Sequence, residues 1–486
     1  MNLSIPLILS VFFIIVIYKL EYQWRPNVSR ALWVPIIWLM IVGSRYLSFW
    51  LNLSNPIETP ESVMEGSPFD RIVFLALNIA GIYILYKRKL RLLQIINGNV
   101  WIFLFFLFGA ISALWSEIPY VLIKRLFKSI GNPVMALVVL SEPYPFEAMK
   151  TVFRRCAYVL LPLSIICIKY YPKIGRAYSY TGELMYRGVT GQKNDLGLIC
   201  MIFTICFFFG ILKRSNWQIQ PDNRKVILMD IMFLSMGFWL LMKSNSATSL
   251  VCFITGVFII FVTEFSLFKR NVRSVHVLFF VSILLFFIAQ LSFDVKGVVI
   301  SSLGRNNTLT ERVPLWEYLV GMGTNPIVGA GFESFWTVER LKIVKGLYGV
   351  VSVHNGYLDI YLNLGYIGIF LFAAIVVTSY RNTIRDLPSN FDFGIFKLTF
   401  LIIILLYSYT EAYLAGINMI YFLFFFITMR CPSLSNDSDS PDSASGYVDV
   451  WDIERIGKPD GIPNGNRHGE TSNRVLQEVV CRQGGK

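Results

Sequence analysis

The chain has 486 residues, of which 55% are hydrophobic and only 15% are charged, and its mean hydropathy is positive. An ordinary soluble domain is about 45–50% apolar and about 25% charged, and no soluble core of this size would bury so much apolar side chain. The composition therefore excludes a soluble enzyme, a disordered scaffold and a fibrous protein. It indicates a polytopic membrane protein.

The formal net charge of +13 does not indicate a nucleic-acid partner. Lysines and arginines fall in short clusters between apolar runs, which is typical of the cytoplasmic loops of membrane proteins. The cysteines show neither a disulfide framework nor paired spacing for zinc; they are Cys156, Cys167, Cys200, Cys206, Cys252, Cys431 and Cys481.

Apolar segments recur along the chain at lengths that suit membrane-spanning helices, which need about 20 mostly apolar residues or slightly fewer. The candidate cores are 3–18, 31–50, 71–86, 98–114, 121–140, 156–170, 195–212, 226–242, 247–263, 275–292, 357–379, 395–410 and 413–429. The fifth carries Lys124, Arg125 and Lys128 in its first turns, and these cations would snorkel or bind an anionic head group. The expected fold is all-α, with about 12–13 transmembrane helices.

The distribution of Lys and Arg orients these spans. One alternating set of loops is basic, whereas the opposite set has neither Lys nor Arg at 51–70, 115–120 or 411–416, so the positive-inside rule places the N-terminus outside and the C-terminus inside. The predicted domains are a membrane domain, 1–430, and a tail, 431–486, poor in apolar residues and expected to be disordered in the cytoplasm.

Two predicted outer loops, 171–194 and 293–354, stay basic against this bias, and the second is the longest connection between spans. Exposed loops that keep arginines are where function is expected. The first contains the motif RGVTGQKNDLG at 187–197. Arg187 and Lys193 beside the N-terminus of the following helix predict an anion site, and interfacial anchoring of the span is the alternative.

The long loop contains LTERVPLW at 309–316 and NPIVGAGF at 325–332. The first stretch predicts an amphipathic helix at head-group level, with Arg312 at phosphate depth and able to form two hydrogen bonds with a diphosphate. Gly329 and Gly331 predict a turn that brings the backbone close to another group, and a simple turn is the alternative.

The third motif, VHNGYLD at 353–359, opens the eleventh candidate span. We expect His354 in the first helical turn, where the positive end of the helix dipole favours the neutral imidazole that a general base requires. A plain hydrogen-bonding role is the alternative. No ligand spacing for a metal is present, so neither a metal nor another cofactor is predicted.

In this order and topology, the motifs resemble the O-antigen ligase and Wzy-type polysaccharide polymerase superfamily. The matching stretches are 187–197, 309–335 and 354–368, and SALWSEIPYVLIKR at 112–125 is similar to the upstream segment of the exopolysaccharide-polymerase branch. The resemblance implies a membrane fold of the GT-C kind with one large extracytoplasmic loop, 293–354.

The resemblance also implies a metal-independent, inverting glycosyltransferase of the bacterial cytoplasmic (inner) membrane, acting on the periplasmic or extracellular side. Its donor is a glycan on undecaprenyl diphosphate. The family's functional residues match Arg187 and Arg312, which would stabilise negative charge on the diphosphate, and His354, which would take the proton of the acceptor hydroxyl. The loop arginine is usually preceded by glycine in the family, whereas Glu311 stands there in this chain.

Other residues near these motifs are candidates for substrate binding. Glu333 is a candidate acceptor-binding carboxylate, and Arg305 would steer the anionic substrate. Trp316 and Trp336 would stack on sugars or anchor at the interface. The remaining candidates are Lys193, Asn194 and Asn355.

Three functions follow from this reading. The first is a polymerase that extends lipid-linked repeat units into exopolysaccharide or O-antigen, which the 112–125 segment favours. The second is a ligase that moves lipid-linked glycan to a terminal acceptor such as lipid A-core. The third, a transporter or flippase of lipid-linked glycan, is disfavoured because no internal repeat is present. The expected partners are the donor, a glycan or lipid-linked acceptor, membrane lipids, a chain-length regulator and a flippase.

Overall fold

The computed structural model describes residues 4–23, 28–52, 66–178, 182–213, 223–266, 268, 274–285, 288, 312–349 and 352–432. Arg305 and the tail after 432 lie outside the described residues, as do Thr310 and Glu311. The described chain is almost entirely helical, with one two-stranded antiparallel sheet of β1 (Arg176–Tyr178) and β2 (Leu184–Tyr186). The predicted all-α fold is confirmed.

The first half of the chain forms ten helices among the described residues. They are α1 (Ser4–Gln23), α2 (Trp33–Val42), α3 (Leu47–Trp50), α4 (Pro68–Lys87), α5 (Leu92–Gly98), α6 (Val100–Ile111), α7 (Pro119–Ser129), α8 (Gly131–Leu140), α9 (Pro145–Tyr170) and α10 (Pro172–Gly175). Short 3-10 turns at Arg30–Leu32 and Ser112–Leu114 adjoin α2 and α6.

The second half continues with α11 (Lys193–Leu212), α12 (Asn223–Ser244), α13 (Ala247–Val262), α14 (Ser274–Leu285), α15 (Arg312–Gly321), α16 (Val338–Tyr348), α17 (Gly356–Asp386), α18 (Phe391–Thr410) and α19 (Met419–Thr428). Within the described ranges, six helices are long and apolar enough to cross a membrane, namely α4, α9, α11, α12, α17 and α18. A seventh span results if α5 and Val100–Leu114, bent by 99°, count as one. A polytopic membrane protein is thus confirmed, and the count of 12–13 spans stays a prediction.

The fifth candidate span, 121–140, is divided in the structure into α7 and α8 at Ile130. Pro133 lies in the first turn of α8, where its ring and missing N–H disfavour a helix that continues from α7. The charges that made this segment unusual lie on α7 and are stabilised by aromatic rings: Lys124 Nζ lies 3.7 Å from the centroid of Tyr120, and Lys128 Nζ lies 4.8 Å from that of Tyr46.

The centre of the bundle is formed by helices that are apolar on every side. All ten residues of α8 and all ten of α19 are buried, and the two helices pack against each other. A helix with no polar face is stable only when other helices surround it. The short helices α8 and α19 are therefore internal; the longer α9 packs against α8, and α18 packs against α19.

The two ends of the bundle differ in their charges. The helices α9, α11 and α18 each run from one end of the bundle to the other. The end of α9, the start of α11 and the end of α18 lie together, and Arg187, His354 and Glu411 lie beside them. We call this end the motif end. At the opposite end, Arg154 Nη2 lies 2.7 Å from Asp230 Oδ2. There, too, Arg155–Glu21 at 3.0 Å and Lys213–Asp392 at 2.9 Å form buried or half-buried ion pairs.

The long loop between α14 and α17 folds into a small apolar unit of its own. Leu315, Leu319, Phe335, Val344, Val353 and Leu362 form a second core, distinct from that of the bundle. Trp316 donates its indole N–H to the Val353 carbonyl at 2.8 Å, and both Trp316 and Trp336 pack against this core. The described part of the loop is therefore a folded platform next to His354.

The turn at 325–331 inserts its backbone into a break in α17. Gly365 has φ +63° inside α17, and the free N–H groups of Tyr366 and Ile367 donate to the carbonyls of Pro326 and Ile327 at 2.9 and 3.2 Å. Gly329, with φ +68°, approaches the Asn363 backbone so closely that a Cβ would overlap it. The close approach predicted for this turn is real, and its partner is the helix backbone.

Candidate active site

Glu411, which directly follows α18, connects three segments that lie far apart in the sequence. Its side chain is only 7% exposed. Oε2 lies 3.2 Å from His354 Nδ1, and Oε1 accepts a hydrogen bond of 2.7 Å from Asn194 Nδ2. Arg312 Nη2 lies 3.7 Å from the same Oε1. The structure thus brings one residue of each predicted motif to a single buried carboxylate, and we call these four residues the Glu411 cluster.

His354 takes an unusual backbone conformation. It has φ +51°, in the left-handed region that a non-glycine residue rarely adopts, and its N–H donates to Ser352 Oγ at 3.3 Å. The helix begins at Gly356 with Asn355 as N-cap, so His354 precedes the helix instead of lying in its first turn, as the sequence suggested. Left-handed conformations of this kind concentrate at functional sites, where the surrounding structure maintains them.

Asn355 is the N-cap of α17. Its Oδ1 accepts hydrogen bonds from the N–H groups of Tyr357 and Leu358 at 3.0 and 3.1 Å. A side chain in this role satisfies donors that the helix leaves unpaired. The oxygen of Asn355 is therefore used within the fold, and it holds the start of α17 directly behind His354.

Arg312 is the first residue of α15 and reaches back to the end of α18. Its Nη1 donates to the Thr410 carbonyl at 2.6 Å, one residue before Glu411. The 3.7 Å between Nη2 and Glu411 is longer than a hydrogen bond. The guanidinium is therefore held in place by a carbonyl, and its contact with the carboxylate is purely electrostatic.

Two tyrosines fix the start of α11 against the segment that carries Glu411. The Tyr407 hydroxyl donates to the Asn194 carbonyl at 3.3 Å, and the Tyr413 hydroxyl donates to Asp195 Oδ1. Burial, followed by the charge of Asp195, raises the pKa of Tyr413 well above its usual value. Tyr413 therefore remains a neutral donor, and Asn194 is held facing Glu411.

Arg187 lies outside this cluster and bonds to the backbone of α10. Its Nε donates to the Ile174 carbonyl and its Nη2 to the Lys173 carbonyl, both at 2.9 Å. Burial lowers the pKa of the Arg187 guanidinium. Beside it, Arg45 Nη2 donates to the same Ile174 carbonyl at 2.8 Å. The structure therefore places two arginines together where the sequence suggested one.

Glu333 connects α7 to the segment after Glu411. Its Oε1 accepts from Ser129 Oγ and from the Gly416 N–H, both at 2.7 Å, and its carbonyl accepts from Arg125. Glu333 also has a left-handed backbone, with φ +49°. The candidate acceptor-binding carboxylate is thus engaged in the fold through one oxygen. Lys193, half-buried at the start of α11, forms no ion pair with a described residue.

Sequence reasoning missed Glu411 and Arg45. Glu411 stands in a short segment without basic residues, predicted to lie outside, and nothing in its neighbourhood distinguishes it from an ordinary loop acid. Arg45 was easier to identify from the sequence, because burial of a lone arginine within an apolar segment costs free energy and therefore indicates a functional residue. In the described chain, no three His, Cys, Asp or Glu side chains lie close enough to hold a metal ion.

Two comparisons with known proteins bear on this site. The model of the family "O-Antigen ligase" matches residues 231–373, which contain Arg312, Glu333 and His354. The "Exopolysaccharide production protein ExoQ" of Rhizobium meliloti (strain 1021) is 22% identical over 341 residues, which cover 66% of this chain and 75% of that protein. Both findings support the resemblance to the O-antigen ligase/Wzy-type family that the three motifs carry.

Proposed function

We propose that the chain transfers a glycan from undecaprenyl diphosphate to the hydroxyl of another lipid-linked repeat unit, and so polymerises exopolysaccharide or O-antigen. The reaction would take place at the outer face of the bacterial cytoplasmic membrane. The observation that carries the proposal is the Glu411 cluster, in which a histidine, an arginine and an amide from three distant motifs meet at one buried carboxylate.

His354 acts as the general base in this proposal. With Glu411 accepting from Nδ1–H, the imidazole has its lone pair on Nε2, which is the tautomer that a base requires. The buried carboxylate also stabilises the imidazolium that forms, as in the Ser-His-Asp arrangement. Asn194 holds the other carboxylate oxygen, so the Glu411 side chain cannot rotate away from the histidine.

The transfer requires no reactant besides the donor and the acceptor. The acceptor oxygen forms a bond to the anomeric carbon of the donor sugar as the bond from that carbon to the phosphate oxygen breaks. The acceptor proton moves to His354 Nε2, and the electron pair leaves with the diphosphate. Attack opposite the leaving group inverts the anomeric centre. The energy is held in the lipid diphosphate bond, and neither a nucleotide nor a metal ion takes part.

The arginines stabilise the charge that grows on the leaving diphosphate. Among the described residues, Arg312 donates a hydrogen bond only to a carbonyl, and its remaining donors are available to an oxyanion. Arg187 donates to carbonyls through Nε and Nη2, and no described carboxylate forms an ion pair with it. Donors fixed in advance around developing charge lower the barrier without reorganisation during the reaction.

A ligase is the second candidate, and the name of the matching family, O-Antigen ligase, favours it. The donor chemistry at His354 and Arg312 is the same. Only the acceptor differs, since a ligase moves the finished glycan to a terminal acceptor such as lipid A-core. The partners in either case are membrane lipids and the proteins that deliver donor and limit chain length, a flippase and a chain-length regulator.

Reconstitution of the purified full chain in liposomes, with undecaprenyl-diphosphate repeat units, tests the proposal. A ladder of lengthening lipid-linked glycans is expected. A single transfer that requires an added terminal acceptor would instead indicate the ligase. Movement of donor across the bilayer without a new glycosidic bond would contradict both.

In the same assay, His354→Ala is expected to lower the transfer rate by about 10²- to 10⁴-fold, the usual contribution of a general base. His276→Ala is the matched control, because His276 pairs with Tyr380 at the opposite end of the bundle. Full activity of His354→Ala at equal protein level would rule out the base.

A further inference from the structure

An apolar cavity opens beside Arg45 between α1, α2 and α9. Its volume is about 490 Å³, within the range of small-molecule sites. The lining includes Met40, Leu47, Trp50, Leu163, Ile166 and Val189. The starting turns of α1, the final turns of α2 and the second half of α9 contribute residues to this lining. The cavity therefore lies toward the motif end of the bundle.

Arg45 supplies the cationic part of this lining and has one donor group to spare. Its Nε donates to the Thr190 carbonyl at 3.0 Å and its Nη2 to the Ile174 carbonyl at 2.8 Å. Its Nη1 is buried and has no hydrogen-bond partner among the described residues. A buried charged donor without an acceptor is costly, and an added acceptor would relieve that cost.

The charge of Arg45 is also uncompensated. Arg45 and Arg187 share the Ile174 carbonyl, and neither forms an ion pair with a carboxylate of a described residue. An arginine side chain stays protonated at neutral pH. Two cations that share one carbonyl beside an apolar cavity are complementary to an anion that carries a hydrocarbon chain.

We propose that Arg45 binds the diphosphate of the polyprenyl-linked donor and that the cavity holds the first isoprenoid units of its chain. This site rests on the proposed function, since the donor is what that function requires. A diphosphate supplies enough oxygens for Arg45 and Arg187 together. The segment that accepts from Arg45 at Thr190 also carries Asn194, which donates to Glu411. A lipid anchored at Arg45 would therefore have its head group on the route to His354.

Binding of radiolabelled undecaprenyl diphosphate, without sugar, to the full chain in phosphatidylcholine nanodiscs tests the site. Arg45→Gln is expected to weaken binding by at least about tenfold, as for the loss of a charged hydrogen bond. It should leave binding of uncharged undecaprenol unchanged. Leu163→Trp, which fills the cavity, should weaken binding of both lipids.

Arg176→Gln is the matched control, because Arg176 lies at the same end of the bundle and donates to the Ile168 carbonyl but does not line the cavity. Wild-type affinity of a folded Arg45→Gln would overturn the site, as would unchanged affinity of Leu163→Trp. Displacement of undecaprenyl diphosphate by equal amounts of phosphatidylglycerol would also overturn it, since the cavity would then hold bulk anionic lipid.

These readouts separate the site from the proposed function. Arg45-dependent binding with no glycan transfer by the wild type would leave the site standing and contradict the function. A ladder of products from Arg45→Gln at the wild-type rate, with unchanged lipid affinity, would contradict the site and leave the function standing.

Discussion

The two ends of the bundle use arginine in different ways. At the opposite end, Arg154 and Arg155 each lie within 3.0 Å of a carboxylate, and Arg88 pairs with Glu142. At the motif end, Arg45 and Arg187 are hydrogen-bonded only to backbone carbonyls among the described residues. Arg88, Arg154 and Arg155 are therefore each paired with a carboxylate, whereas the charges of Arg45 and Arg187 are not compensated by a described carboxylate.

This difference separates a structural role from a ligand-binding one. A buried arginine paired with a carboxylate has its charge compensated within the fold, and removal of either partner is destabilising. An arginine held by carbonyls is positioned equally well but keeps its charge for an anion. The Glu411 carboxylate is likewise not neutralised by one close cation. It is shared by a histidine and an amide.

The largest expected effect at the motif end is on catalysis. Glu411→Gln keeps the shape of the side chain but removes the charge that stabilises the imidazolium of His354, so the transfer rate should fall by about 10²- to 10⁴-fold. Glycan transfer in liposomes measures it. Glu117→Gln is the control, since Glu117 pairs with Arg340 in an exposed contact at 2.7 Å. Activity of Glu411→Gln within twofold of the wild type would contradict the orienting role.

At the opposite end the effect should be on stability alone. Arg154→Met removes the cation that lies 2.7 Å from the buried Asp230 carboxylate, so the free energy of unfolding should fall by about 3–5 kcal/mol. Arg154→Met/Asp230→Leu should recover part of the loss. Thermal unfolding in detergent measures both changes, and the transfer rate per folded molecule should stay unchanged. A lower transfer rate in folded Arg154→Met protein would contradict the difference in role between the two ends.

Hydropathy predicted most of the helices, because apolar length is a local property. It failed at 121–140, where Pro133 ends the continuity of a run whose composition resembles one span. The number of spans also resists prediction. Short buried helices such as α8 and α19 satisfy their backbone within the bundle, and their length alone does not show whether they cross the membrane.

The candidate site was partly predictable for a similar reason. His354, Arg312 and Asn194 stand in motifs that a sequence displays. The place of Glu411 in the site is seen only in the folded chain, because its partners are distant in the sequence. Asn194 is 217 residues away and His354 is 57 residues away. Left-handed backbone at Glu333 is likewise imposed by tertiary contacts, since glutamate rarely adopts it.

The smallest expected effect concerns the backbone that holds the motif end together. Gly365→Ala places a Cβ against the backbone of Ile327 at a residue with φ +63°, so the turn at 325–331 must move out of the break in α17. The free energy of unfolding should fall by about 1–3 kcal/mol, as for strained non-glycine residues. Gly346→Ala is the matched control, because Gly346 lies within α16 with open space around it, and alanine there should stabilise the helix slightly. Thermal unfolding compares the two variants. If both shift the transition equally, the turn does not depend on the break in α17, and the motif end is stabilised by side-chain contacts like those at the opposite end.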